Sequence, residues 1–368
     1  MGLEGMKDRM KAAMLFVAIG DALGMPAEIY SAKTIAKRFG RIRGYVDPPK
    51  DHRFHGEGMK AGMWTDDWCH TQACAESIID VIRRVGRGFP GSYLIDCDDI
   101  SRRLVSDSCM LISGMGGSTR KALEKIRAGI HWSESGTENG AGNGVAMKAA
   151  PFGMILASAY QRLSRRYSVA DMEKRFSEYR VAFDAKMIKV GLMTHATQMG
   201  AASGLAQAYA VFASLTLPDE DFETRFLEIV IDACLVGENI LSDDVITDRI
   251  SDRLRWMLET RCWEHMNIGE LSTALGKGSC YAFDSIPFTY AMFLRNPRSI
   301  VTLFDTVNAG GDTDSNGSMV GALLGARNGM ALFEGHEHLI DGLWRKEAVI
   351  QTATELAEAL SEKQRSES

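Results

Sequence analysis

The sequence predicts an all-α fold, and three observations predict it. Segments that permit apolar residues at helical spacing run through nearly the whole chain, no convincing run of alternating strands occurs, and glycine, with 36 copies, gathers at junctions. At 368 residues and 45% hydrophobic content the chain easily supplies one large core. No internal repeat, low-complexity tract or Pro-rich linker divides it. The expectation is therefore a single compact multi-helix domain over residues 1–362 and a polar tail over 363–368.

Taken in order, the first helix is expected from Lys7 to Leu23. It places Ala12 to Ile19 as an apolar stretch that Gly20-Asp21 interrupts, a poor signal peptide. The second, Trp68 to Val85, is opened by Thr65-Asp66-Asp67, and Ser118 to Ala128 follows the glycine-rich turn Ser113 to Ser118. A fourth, Gly144 to Ala159, continues from Asn139-Gly140-Ala141-Gly142-Asn143. Gln198 to Ser214 lies inside Gly191 to Leu217, which has no Asp, Glu, Lys or Arg and imitates a membrane span; its Gly, Ala, Ser, Thr and Gln content reads instead as a buried helix with close neighbours. Asp221 to Leu241, Phe288 to Arg295, Ser315 to Met330 and Glu347 to Ser361 complete the set. The stretches Gly40 to Gly62, Gly114 to Gly117 and Gly136 to Gly144 read as loops on this scaffold.

A net charge of −6 argues against a broad nucleic-acid surface. Cys69, Cys74, Cys97, Cys109, Cys234, Cys262 and Cys280 form no CxxC pair and are read as reduced, mostly buried thiols of a cytoplasmic protein. Gly2 is followed by Met6 where a myristoylation motif requires Ser or Thr.

The chemistry gathers in two acidic clusters at opposite ends of the chain, Thr65-Asp66-Asp67 and Asp312-Thr313-Asp314-Ser315. Either one alone is explained as a helix cap, since Thr and Asp accept the free N–H groups of a first turn and acids suit the helix dipole. One cap needs one acceptor, and these offer several. If the clusters meet, four carboxylates and two hydroxyls form an oxygen-only cage suited to hard divalent cations; without cations they repel. The Gly114–Thr119 turn can aim backbone N–H groups at phosphate, or be a plain turn and cap. Asn143 can hold a ligand hydroxyl or make an Asx-turn, and His195, in uncharged surroundings, reads by default as a satisfied core residue. Residues Gly40 to Gly62 hold seven Arg, Lys and His, a basic lid or a solvated loop; Asp243 to Asp248 reads as a solvated, helix-capping turn.

Together these motifs resemble the ADP-ribosylglycohydrolase family, in order and over most of the chain. The matching residues are Gly20-Asp21-Ala22-Leu23-Gly24 with Glu28, Trp64-Thr65-Asp66-Asp67, Gly142-Asn143-Gly144-Val145-Ala146-Met147, Thr194-His195, and Gly310 to Ser315 with Gly321 and Gly325. The resemblance implies an all-α fold with a di-metal cleft, in which two Mg2+ or Mn2+ ions are held by Thr65, Asp66, Asp67, Asp312, Asp314 and Ser315. It implies substrate contacts from Glu28, Gly114, Gly116, Ser118, Thr119, Asn143, Gly144 and His195, and proton handling by Asp67 or Asp312. The implied reaction is hydrolysis of the N-glycosidic bond joining ADP-ribose to a modified side chain, with arginine the expected one.

The chain departs from the family pattern at Trp68, at Lys148, and at Ser113, where many arginine-specific bacterial members carry an acid. Serine-linked ADP-ribose and small-molecule conjugates stay open for that reason. A non-catalytic relative is disfavoured because all six metal-motif residues are present. An isoprenoid synthase would need a second acidic magnesium motif facing Asp243 to Asp248, and an HD-type hydrolase a His-Asp doublet; the sequence contains neither.

Overall fold

Helix α1 (Leu3–Gly24) carries the long apolar stretch Ala12 to Ile19 and runs through the middle of the protein, with that stretch fully buried. It is the described helix long and apolar enough to cross a membrane, yet 94% of its apolar window is buried inside the protein, as befits a core helix. The computed structural model describes residues 3–86, 94–240 and 248–361. The expected polar tail, and all of Asp243 to Asp248 except its last residue, lie outside that range. Among the described residues no strand forms, and three isolated bridges pair Ser31 with Gly310, Thr137 with His195 and Gly142 with Tyr281.

After α1 come α2 (Asp66–Val85), α3 (Gly117–Arg127), α4 (Ala150–Arg166), α5 (Val169–Leu192) and α6 (Gln198–Thr216). Then follow α7 (Phe222–Glu238), α8 (Ala282–Arg295), α9 (Val301–Asn308), α10 (Thr313–Asn328) and α11 (Lys346–Ser361), with shorter helices between. The membrane-like segment is α6, and every residue from Gln198 to Leu215 is buried by its neighbours.

Helix α10 is likewise buried all round from Thr313 to Arg327 and lies along α1. Glycine makes that approach possible. A Cβ at Gly20 would stand 2.1 Å from the Gly317 carbonyl oxygen, one at Gly321 2.2 Å from that of Phe16, and one at Gly325 2.5 Å from backbone atoms of Ala12 and Ala13. Small residues four apart on one face let the two backbones touch, which holds the ends of α1 and α10 side by side.

Two expected boundaries shift, and one helix appears that was not expected. The segment Gly144 to Ala159 is not one helix: residues 146–148 make a 3-10 turn, and α4 starts at Ala150 with Pro151 in its first turn, where a missing N–H costs nothing. Helix α8 starts six residues earlier than Phe288 and carries Pro287 inside it. The longest of the described helices, α5, has no counterpart among the expected segments. It is charged over most of its surface and buries only a narrow stripe that includes Met172, Phe176, Phe183, Met187 and Val190.

Candidate active site

The turn before α10 is built from two glycines with left-handed backbones, Gly310 at φ +84° and Gly311 at φ +85°. A Cβ on Gly311 would fall 2.3 Å from the Lys277 carbonyl oxygen. This turn sets Asp312 at the N-cap of α10 and Asp314 and Ser315 in its first turn, while Thr313 points back and donates to the Gly24 carbonyl at 2.7 Å. The same glycines tie down the chain around Glu28: Ile29 N–H donates to Gly311 O at 2.7 Å and Gly311 N–H to Tyr30 O at 2.9 Å.

At the start of α2, Thr65 occupies the N-cap but its side chain makes no capping bond. Asp21 of α1 does the capping. Its carboxylate accepts from the Thr65 N–H, the Thr65 hydroxyl and the Trp68 N–H, each at 2.9 Å. Sequence reasoning gave Asp21 no role. The signal was there: an acid flanked by apolar residues in a core helix must be paired once buried, and Asp21 is fully buried.

The two acidic clusters converge. Ser315 Oγ donates to Asp67 Oδ2 at 3.2 Å across 248 residues of sequence. Asp21, Asp67 and Asp314 bring carboxylate oxygens within 4.8 Å of one another, and so do Glu28, Asp312 and Asp314, with Asp314 common to both groups. Asp66 opens onto the same cleft, and the Thr65 hydroxyl, bonded to Asp21, lies 3.4 Å from Asp67 Oδ2. Asn143 Nδ2 donates to Asp312 Oδ2 at 2.7 Å and to Ser285 Oγ at 3.0 Å. Ser285 in turn donates to Asn316, whose amide is fixed on the Gly278 carbonyl at 2.7 Å. Ser285 and Asn316 thus position the site from behind; nothing in the sequence marked them beyond being polar in apolar helices.

The cleft has a volume of about 470 Å³, and all the expected substrate residues line it: Glu28, Gly114, Gly116, Ser118, Thr119, Asn143, Gly144 and His195. Gly114, at φ +103°, leaves no room for a side chain, since a Cβ there would lie 2.4 Å from Asp66 Oδ1. Gly116 is the N-cap of α3, no side chain caps the first N–H groups of that helix, and Gly116, Gly117, Ser118 and Thr119 all line the cleft. His195 is buried under the 140–144 loop with Nδ1 at 2.9 Å from Thr194 Oγ1, and burial pushes it down to about 3, so it is neutral. The Gly40–Gly62 segment is held rather than freely solvated: Arg53 pairs with Glu28, Arg41 with Asp305, and His52 is buried.

A family model for ADP-ribosylglycohydrolases matches residues 3–367. The chain belongs to the ADP-ribosylglycohydrolase family. Among relatives, an uncharacterized protein of Archaeoglobus fulgidus is 27% identical over 354 residues, covering 96% of this chain and 97% of that one. The ADP-ribosylhydrolase ARH3 of Bos taurus is 26% identical, covering 88% of this chain and 85% of its own. A solved structure described as an ADP-ribosylglycohydrolase-related protein complex shares the fold with a TM-score of 0.61 at 23% identity, covering 97% of this chain and 99% of that one.

In this ADP-ribosylglycohydrolase the cluster is electrostatically strained when no cation is bound. Burial, then mutual repulsion, pushes Asp66 up to about 8 and Glu28 up to about 7. Burial also raises Asp21 to about 7 against its three donors, and lifts Asp67 and Asp314 well above the carboxylate range. Asp67 Oδ1 is buried with no hydrogen-bond partner. An oxygen-only donor set with an orphaned acceptor at its centre fits hard divalent cations.

A pH dependence follows. Acids raised in the folded state bind more protons there than in the unfolded chain, so stability is greatest on the acid side and is lost as pH rises through the folded values. For chelator-treated protein, the melting temperature is expected to fall between about pH 6 and about pH 8.5, and saturating divalent cation should remove that fall. Thermal scans across this range check it, and a profile that ignores both pH and cation contradicts it.

Proposed function

We propose that this protein is a divalent-cation-dependent hydrolase of the N-glycosidic bond between ADP-ribose and an arginine side chain, with Thr65, Asp66, Asp67, Asp312, Asp314 and Ser315 holding two Mg2+ or Mn2+ ions. The observation that carries the reading is the pair of carboxylate groups sharing Asp314, set in a cleft that the open N-terminus of α3 also faces. Bound cations supply a grip on a sugar diol and lower the pKa of water.

The chain's own groups do the rest. The free N–H groups at Gly117 and Ser118 and the Thr119 hydroxyl receive a diphosphate. Asn143 holds one oxygen of Asp312, which leaves the other free to accept the proton of an attacking water; Asp67 is the alternative base. Neutral His195 shapes the pocket by hydrogen bonding and packing rather than by proton transfer. The acids around the cleft offset positive charge as it develops at the anomeric carbon. At the mouth, Glu28 is paired with Arg53, and a substrate guanidinium has the same fork to offer.

A second reading, cleavage of serine-linked or small-molecule ADP-ribose, is favoured by Ser113 standing beside Gly114 where an acid would recognise arginine. The deciding experiment incubates the protein with arginine-linked, serine-linked and O-acetyl ADP-ribose, with magnesium, with manganese and with chelator. Cation-dependent release of ADP-ribose from the arginine conjugate is expected. Release only from the other conjugates selects the second reading, and no release from any of them removes both.

A further inference from the structure

Two residues beyond Asp67, α2 carries a second reactive group. Cys69 Sγ lies 3.0 Å from the Sγ of Cys109, which belongs to the one-turn helix Asp107–Met110. The two are far apart in sequence and come from separate elements, so the fold itself brings them together. Both thiols form part of the wall of a cavity of about 530 Å³ whose lining includes Trp64, Gln72, Arg103 and Trp344 and shares no residue with the catalytic cleft. A small oxidant can therefore reach the pair without entering the active site.

We propose that Cys69 and Cys109 are a redox modification site that closes to a reversible disulfide when met by a peroxide. The sulfurs need to approach by only about 1 Å to reach bonding distance. In the first step the Cys109 thiolate attacks one peroxide oxygen; the O–O bond breaks, a sulfenic acid forms, and the departing hydroxide takes a proton to become water. In the second the Cys69 sulfur attacks the sulfenic sulfur; the S–O bond breaks, the S–S bond forms, and the hydroxyl leaves with the Cys69 proton as a second water. Two thiols and one peroxide become one disulfide and two waters. Transient, sensing disulfides are the kind that reducing compartments allow.

The bond would act on the site through the chain it shortens. Four residues after Cys109, the Ser113 carbonyl accepts the Asp66 N–H at 3.1 Å, and Gly114 lies against Asp66 and Thr65. Closing the ring from residue 69 to residue 109 ties the glycine turn before α3 to the acid-bearing end of α2.

The test uses the reduced full-length chain treated with hydrogen peroxide, alkylated, digested without reductant and analysed by mass spectrometry. A peptide pair joined through Cys69 and Cys109 is expected, two hydrogens lighter than the separate peptides and lost on adding dithiothreitol. The melting temperature should rise by roughly 5 °C on oxidation. Cys109→Ser should abolish both effects and Cys74→Ser should leave both. The proposal is overturned if these peptides stay unlinked, if the link runs through Cys74, or if Cys109→Ser shows the same rise. None of these readouts depends on which ADP-ribose linkage the enzyme cleaves.

Discussion

Replacing Asp314 by Asn is expected to lower turnover by about 10³-fold or more while the folded state survives, a loss of roughly 4 kcal/mol of transition-state stabilisation. Asp314 is the one carboxylate common to both groups of converging acids, so its loss strikes both proposed cation positions at once. The side chain is buried in the first turn of a helix that packs through glycines elsewhere, and an amide of the same shape disturbs none of that packing. It also removes one negative charge from a group of acids already forced toward protonation, and its N–H can donate to Asp312. The metal-free variant should therefore melt no lower than the metal-free parent, and cation should no longer raise its melting temperature. Asp312→Asn should share the loss of turnover. Turnover and thermal shift with and without magnesium separate the outcomes; a variant of Asp314 that still gains stability from magnesium shows that this residue is not a ligand.

Much of this site was legible because the acids announce themselves. Asp66, Asp67, Asp312 and Asp314 exceed what capping two helices requires, and redundancy of that kind survives without any knowledge of the fold. Asp21 was harder. It sits in the same apolar helix that the pattern assigned correctly, and its function as the cap of α2 depends on a contact 44 residues away. Asn316 and Ser285 were harder still, for a polar residue in a buried helix signals only that some partner exists. Helix α5 escaped for the opposite reason: its buried stripe is narrow and its surface charged, so its periodicity is diluted by Lys, Arg and Glu. The Pro151 boundary, by contrast, follows from backbone chemistry alone and should set the start of α4 in any reading. The glycines of α10 matched a motif as letters, but their physical purpose is visible only against α1.

That purpose can be measured, and the second large effect is expected there. Gly321→Val places a branched side chain where a Cβ already falls 2.2 Å from the Phe16 carbonyl oxygen and 2.8 Å from its carbon. Backbone atoms cannot rotate out of the way, so α1 and α10 must separate. Overpacking of this kind costs 1–3 kcal/mol or more, and a β-branched residue in a helix adds to it, giving an expected loss of about 4 kcal/mol from a fold whose total is on the order of 10. The separation should reach the site as well, because α1 carries Asp21 and α10 carries Asp314, and their carboxylates have to meet. Gly321→Ala is the sharper test. In an exposed helix that change gains about 1 kcal/mol of helix propensity, so the sign of its effect reveals whether close approach or intrinsic preference dominates. Denaturant unfolding should show Gly321→Ala less stable than the parent, while Gly44→Ala, whose Cβ would meet nothing within 4 Å, should change stability by less than about 0.5 kcal/mol. A stabilised Gly321→Ala would mean that the two helices have room to spare, and that the meeting of the early and late acids must be held by something other than their contact.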